Sequence, residues 1–168
     1  GIAIEYLRQF ENMLGIHFDI LADRPWHDSL DMAGRGEIDM LSGIVKTPQR
    51  ADLLKFTRPY IEMPVVILTR PDIAYITGPK ELKGRRVAVV RGYALEEWLA
   101  RDYPDIKVVL ADSIKAMFEL LKNNKVYACM ESMPAAGYYL SQNGQSDIRI
   151  SGQTRYTYRV CMAVRRDY

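Results

Sequence analysis

The sequence predicts an α/β protein with parallel sheets flanked by helices. Three observations carry that expectation. Short apolar, strand-like runs alternate along the chain with amphipathic segments of helical length, the order that builds strand–helix–strand units. The 168 residues are 48% hydrophobic and 26% charged, sufficient to bury a sizeable core. No low-complexity segment and no strict repeat interrupts the alternation.

The elements can be taken in chain order. Apolar residues at 2, 6, 7, 10, 13 and 14 stripe a helix over Ile2–Leu14, and Gly15 is its stop. Residues 17–21 alternate as a strand. A second helix over 27–35 turns Leu30 and Ala33 inward and ends at Gly34 and Gly36. Residues 38–41 form a short apolar strand that ends at Ser42-Gly43, where backbone can approach another molecule closely. Thr47 then caps a helix opening on Pro48, the residue least harmed by lacking an N–H. That helix holds Arg50 one turn past the strand end. A guanidinium beside strand-end and helix-start N–H groups suits a carboxylate or another small anion.

A long strand covers 63–69, and Pro71-Asp72 and Gly78-Pro79 punctuate the stretch after it. The pattern then restarts. Residues 86–90 form a strand and 94–102 a helix with Leu95, Trp98 and Leu99 on one face. Residues 107–110 form a strand, and 113–123 a helix capped by Asp112 or Ser113. Residues 126–130 form a strand, and 133–143 a helix capped by Ser132 with Pro134 in its first turn.

Composition excludes several classes. A formal charge of +2 gives no dominant electrostatic partner. No Lys/Arg run reads as a nucleic-acid stripe, and no phosphate-loop or zinc-ligand pattern is present, so neither nucleic acid nor a cofactor is expected. The longest apolar run, 63–68, is far shorter than a membrane span. Gly1 already begins inside a helical pattern, so no signal peptide is read at the start. Cys129 and Cys161 each sit in an apolar run and read as buried thiols, which leaves the compartment and any pairing open.

The order of motifs is specific. Gly36-Glu37-Ile38-Asp39 is followed by small residues, then Thr47-Pro48-Gln49-Arg50, then Phe56-Thr57-Arg58-Pro59-Tyr60. This resembles family 3 bacterial extracellular solute-binding proteins, the two-lobed Venus flytrap domains of amino-acid uptake systems. The likeness continues through Leu82-Lys83-Gly84-Arg85-Arg86 to Gly92-Tyr93, through 126–139, and closes with Ala163-Val164-Arg165-Arg166-Asp167. It implies a periplasmic-binding-protein-like (type 2) fold and a location on the periplasmic or extracellular side of the inner membrane. Lobe 1 would hold residues 1–64 plus 159–168, and lobe 2 residues 65–158. Crossings near 62–65 and 157–160 would form the hinge, allowing closure around a ligand. The resemblance also implies a strand before the first helix and covering helices after Asp167. The first lobe is therefore expected to be incomplete at both termini and marginal in stability. Its unpaired edges near Phe18 and Met40 would favour association with the rest of a longer polypeptide or as a homodimer.

By the same resemblance, Arg50 is the arginine that grips a ligand carboxylate; by itself it reads as a surface arginine paired with Asp52 or with nothing. Val45 stands where uptake-type members carry a hydroxyl, so only its N–H can serve, alongside the Ser42-Gly43 backbone. Ala94 likewise replaces a hydroxyl residue, although Gly92-Tyr93-Ala94 is expected to leave helix-start N–H groups open to an anion. Glu131 falls where relatives place an Asp that pairs with a ligand ammonium; its plain reading is a solvated glutamate at a helix start. Trp26 and Tyr93 are candidate cleft walls, with structural packing as the alternative. Tyr156 and Tyr158 read as hinge packing. His17 and His27 have no partners at metal or catalytic spacing, and Ser42 has no base beside it.

The expectation is a non-catalytic, extracytoplasmic sensory domain. It would close on a small carboxylate or amino-acid-like solute and signal to a membrane-bound kinase or related receptor. The two lost hydroxyls and the 102–107 and 113–116 runs resemble sensor-kinase flytraps more than uptake proteins. The alternatives are an amino-acid-binding component of an ABC transporter, a dehydratase-like periplasmic enzyme using Glu131 with Arg50, and a flytrap that binds nothing.

Overall fold

Two glycines punctuate the N-terminal helices as the sequence requires. Helix α1 (Ile2–Leu14) closes at Gly15 with φ 67°, and α2 (Trp26–Arg35) closes at Gly36 with φ 75°. Both are left-handed conformations that glycine adopts without a Cβ clash. Gly34 lies inside α2 rather than after it. The computed structural model describes residues 1–143 and 147–167.

The strand expected at 17–21 does not form. The Phe18 N–H donates to the Glu11 carboxylate at 2.7 Å, and Ile16, Ile20 and Leu21 are exposed. Alternation gives a segment two faces, but it becomes a strand only where a neighbouring ladder takes up its backbone groups.

The chain divides into two compact units, one of residues 1–60 with those from 160 onward, the other of residues 61–159. In the first, the end of β7 (Arg149–Arg165) is flanked on both sides. Strands β1 (Met40–Val45) and β2 (Leu54–Phe56) pair with it antiparallel, so that Ala163 faces Leu41 on one side and Phe56 on the other. Ala33, Leu41, Ile44, Leu54 and Ala163 are the buried centre, with Trp26, Leu30, Ile38 and Phe56 packed against them. The single turn α3 (Pro48–Ala51) bridges β1 and β2.

The second unit carries β3 (Ile61–Thr69), β4 (Arg86–Val90), β5 (Lys107–Ala111) and β6 (Ala128–Ser132), in the spatial order β7-β3-β6-β4-β5. Strands β5-β4-β6 are parallel and β3 pairs antiparallel with β6, so the sheet is mixed rather than wholly parallel. Helices α4 (Ala94–Asp102), α5 (Ile114–Lys122) and α6 (Met133–Asn143) complete it. Ser113 is the cap of α5, its hydroxyl accepting the Ala116 N–H at 3.1 Å. Phe118, Met117 and Leu121 of α5 pack with Leu68, Ala88, Val90 and Cys129 from the strands. Strand β6 starts at Ala128, two residues later than its apolar run; the Val126 carbonyl before it accepts the Arg70 guanidinium at 2.9 Å. It also runs on through Glu131 and Ser132, so Ser132 is the last strand residue before α6. Cys129 and Cys161 are both buried thiols.

Candidate functional site

In the first unit most of the candidate residues lie between Leu41 and Arg50. Leu41 faces Ala163 and Ile44 faces Cys161, so Ser42 and Gly43 together oppose the single residue Met162. They form a bulge inside β1 and not a loop after it. Met162 turns its backbone the other way, exchanging hydrogen bonds with Thr57 at 2.9 and 3.0 Å. A bulge of this kind re-aims backbone groups next to a site.

Thr47, 2% exposed, accepts the Arg50 N–H through its hydroxyl at 3.4 Å. The Arg50 side chain then folds back, donating Nη1 to the Val45 carbonyl at 2.5 Å. Val45 thus contributes an anchor for the arginine as well as a place on the strand end. The guanidinium carries its donors in a planar fork. Trp26, at the start of α2, is half-buried against the Leu41–Ile44 core.

The second unit differs from expectation. The Gly92 N–H is already engaged by the Glu96 carboxylate at 2.8 Å, so it is not open to an anion. Glu96 and Glu97 both lie in the first turn of α4, and Ala94 is buried. The sequence signal was present, since Glu96 stands at the third helical position from which a carboxylate reaches back to the helix entry. Two carboxylates at this helix start disfavour an anionic ligand group there and suit a cationic one.

Glu131 is 2% exposed and pairs with Val66 across the β3–β6 ladder, so the solvated helix-start reading does not hold. One carboxylate oxygen accepts the Ser132 N–H at 2.6 Å, while Oε2 has no hydrogen-bond partner among the described residues. Burial pushes its pKa to about 7, against the Ser132 hydrogen bonds that lower it. Tyr93 stands edge-on to Tyr158 with ring centroids 6.3 Å apart. Burial, together with the Glu131 charge, pushes the Tyr93 phenol to about 12. The structure therefore brings Tyr93 and Glu131 into one partly buried, acidic locality.

Tyr156 and Tyr158 pack in an aromatic group with Trp98, at centroid distances of 5.1 and 5.8 Å. The Tyr156 hydroxyl also donates to Asp102 at 2.7 Å, where Arg101 and Arg155 converge on the same carboxylate. These guanidiniums and the phenol hold Asp102 well below the usual carboxylate range. The Tyr156–Asp102 contact joins residues 54 positions apart, and nothing local in the sequence signals it. Among the described residues no His/Cys/Asp/Glu group could hold a metal, and no helix is long and apolar enough to cross a membrane. A groove of about 350 Å³ between α5 and α6, lined by Ile114, Lys115, Tyr138 and Tyr139, contains none of the candidate residues.

Residues 1–132 match the family model of bacterial extracellular solute-binding proteins, family 3. The chain belongs to that family. It is 30% identical over 151 residues to the virulence sensor protein BvgS of Bordetella pertussis, spanning 90% of this chain and 12% of that protein. The crystal structure of the B. pertussis BvgS periplasmic VFT2 domain superposes with a TM-score of 0.87 at 28% identity, over 100% of this chain and 72% of that one. The ABC transporter arginine-binding protein 1 of Escherichia coli is 29% identical over 106 residues, 63% of this chain and 43% of its own. A histidine kinase sensor domain with similarity to periplasmic binding proteins shares the fold, with a TM-score of 0.91 at 24% identity over 99% of this chain and 72% of that one. The resemblance read from the motifs, and its leaning toward sensory flytrap domains, is borne out. So is the fold family, a type 2 periplasmic-binding-protein-like α/β domain. As family 3 solute-binding domains, its homologues are periplasmic or extracellular.

Proposed function

We propose that this domain binds a small carboxylate or amino-acid-like solute, closes on it, and passes the bound state to a membrane-bound kinase or related receptor. The carrying observation is Arg50, whose guanidinium is tethered to the Val45 carbonyl at 2.5 Å directly beyond the Ser42-Gly43 bulge. A planar guanidinium fork held in place is the arrangement that takes a carboxylate in two parallel hydrogen bonds. In this reading lobe 1 is residues 1–64 with 159–168 and lobe 2 is 65–158. Ser42, Gly43 and Val45 supply backbone contacts, and Trp26 an apolar wall. From lobe 2, Tyr93 and Ala94 shape the site, Gly92 sets the helix entry, and Glu131 takes a cationic group of the solute.

The sensory role is supported by the 30% identity with a virulence sensor protein. The transport reading is supported by the 29% identity with an arginine-binding protein, which also makes L-arginine the first solute to test. Thermal shift against L-arginine, other amino acids and small carboxylates tests binding. A ligand at a hundred times its dissociation constant stabilises the folded state by about 2.7 kcal/mol. Failure of every such solute to raise the melting temperature would exclude the proposal. Recovery of unchanged solute from the complex separates binding from catalysis. Loss of receptor output on Arg50→Ala in the full-length parent separates sensing from transport.

A further inference from the structure

The Ser42–Gly43 peptide is held from outside its own strand pair. Residues 42 and 43 oppose one residue of β7, which breaks the ladder at that step. The Ser42 carbonyl instead accepts the phenolic O–H of Tyr60 at 2.8 Å. Tyr60 lies along the opposite flank of β7. Its own N–H donates to the Val160 carbonyl at 2.9 Å, in line with Thr57 and β2 on that side. Its hydroxyl therefore reaches over β7 to β1. The ring is braced edge-on against Tyr6 of α1, with centroids 5.1 Å apart. Burial raises the phenol above its ordinary pKa, so the hydroxyl remains a donor at neutral pH.

We infer that Tyr60 is a positioning residue for the ligand site, fixing the Ser42–Gly43 peptide plane and thereby aiming the Gly43 N–H. A trans peptide is planar, with C=O and N–H directed to opposite sides. Holding the Ser42 carbonyl toward Tyr60 turns the Gly43 N–H away from it. Without that hold, a bulge residue lacking a Cβ rotates its peptide at little steric cost. The Gly43 Cα lies close beneath the hydroxyl: a Cβ built there would meet the Tyr60 oxygen at 3.4 Å and a Val160 methyl at 3.8 Å, ordinary contact distances. The inference rests on the proposed ligand-facing role of Ser42, Gly43 and Val45. It adds a residue that supports affinity without touching the solute.

Tyr60→Phe keeps the ring against Tyr6 and removes only the hydroxyl. In isotope-labelled protein of the full 168 residues, this variant is expected to melt close to wild type. The Gly43 amide resonance should shift and broaden, and its hydrogen exchange should accelerate about tenfold. L-Arginine, used as the calorimetric probe, should bind about fivefold more weakly, the loss of one neutral hydrogen bond. An unchanged Gly43 resonance and exchange rate overturns the inference whether or not any solute binds. A changed Gly43 with unaltered L-arginine affinity overturns it as well. If wild type fails to bind L-arginine, the ligand-site reading loses its first solute separately, and the Gly43 measurement still decides the positioning role. Tyr60→Leu, which also removes the ring, is the control for packing. If Phe lowers the melting temperature as far as Leu does, the hydroxyl is structural and the inference falls.

Discussion

Arg50 is oriented before any solute arrives, because the Val45 carbonyl holds one arm of its fork and the Thr47 hydroxyl holds its backbone N–H. In the proposed role as carboxylate clamp, less side-chain freedom then remains to be lost on binding. Arg50→Ala should weaken carboxylate binding by about 2–5 kcal/mol, the cost of deleting one partner of a charged pair. Its melting temperature should stay near wild type, since the residue is only half-buried on a one-turn helix. Calorimetry showing wild-type affinity in the variant would remove the carboxylate clamp. The capped turn that carries Arg50 was legible because Thr47-Pro48-Gln49-Arg50 is a local pattern. The setting of Glu131 was not, because its burial depends on β3 lying alongside β6. That burial has a pH signature. A glutamate whose folded pKa is raised to about 7 keeps its proton in the folded state while the unfolded chain releases it near the ordinary value of 4.5. Folding stability from this group therefore falls as pH rises from about 4.5 to 7 and stays reduced above that. Glu131→Gln keeps an acceptor for the Ser132 N–H but cannot ionise. It should match wild type at pH 4 and exceed it by roughly 1–3 kcal/mol at pH 8 in urea unfolding. Parallel pH profiles for the two proteins would show that Glu131 is ionised at no such cost.

At the level of elements, the helices and the strands β4 and β5 were readable nearly to the residue, and the other strands were not. A helix end is specified by neighbours in sequence: Gly15 and Gly36 stop α1 and α2, and Thr47 and Ser113 start α3 and α5. A strand is specified by a partner that sequence does not name. Residues 17–21 alternate as well as any strand here yet have no ladder to join, and the bulge at Ser42-Gly43 depends on a one-residue slip against β7. The end of β6 shows the same dependence, since Val66 of β3 carries its pairing onward to Glu131. Where the information is local, a mutation should act locally. Ser113→Ala removes the acceptor for the Ala116 N–H. It should cost about 0.5–2 kcal/mol in chemical denaturation, and Ser113→Gly should cost only a few tenths. Equal losses for both would mean that the α5 cap acts through something other than its hydroxyl.

Across the whole molecule, apolar burial is distributed unevenly between the two units, and that sets where the chain opens first. In the second unit, Val87, Ala88 and Val89 of β4, Ala128, Cys129 and Met130 of β6, and Met117, Phe118 and Leu121 of α5 are all 0% exposed. In the first unit, Leu7 is the only buried residue of α1 and Ala33 the only one of α2. Met13, Leu14, Ile16, Ile20 and Leu21 meanwhile face outward at 46–77% exposure. Each buried aliphatic side chain contributes about 1.5–3 kcal/mol when removed from water, so opening α1 or α2 forfeits far less than opening β4 or β6. The backbone hydrogen bonds of β4 are further enclosed by parallel neighbours on both sides, β5 and β6. Native-state hydrogen exchange should therefore be graded. The amides of β4 and β6 should exchange only near the global unfolding limit. Those of α1 and α2 should exchange through smaller openings, at least about tenfold faster. Low denaturant should accelerate the β4 amides steeply and leave the α1 amides nearly unaffected, because a local opening exposes little surface. If α1 and β4 show equal protection and the same denaturant dependence, the two units unfold as one cooperative body, and the uneven burial does not govern their opening.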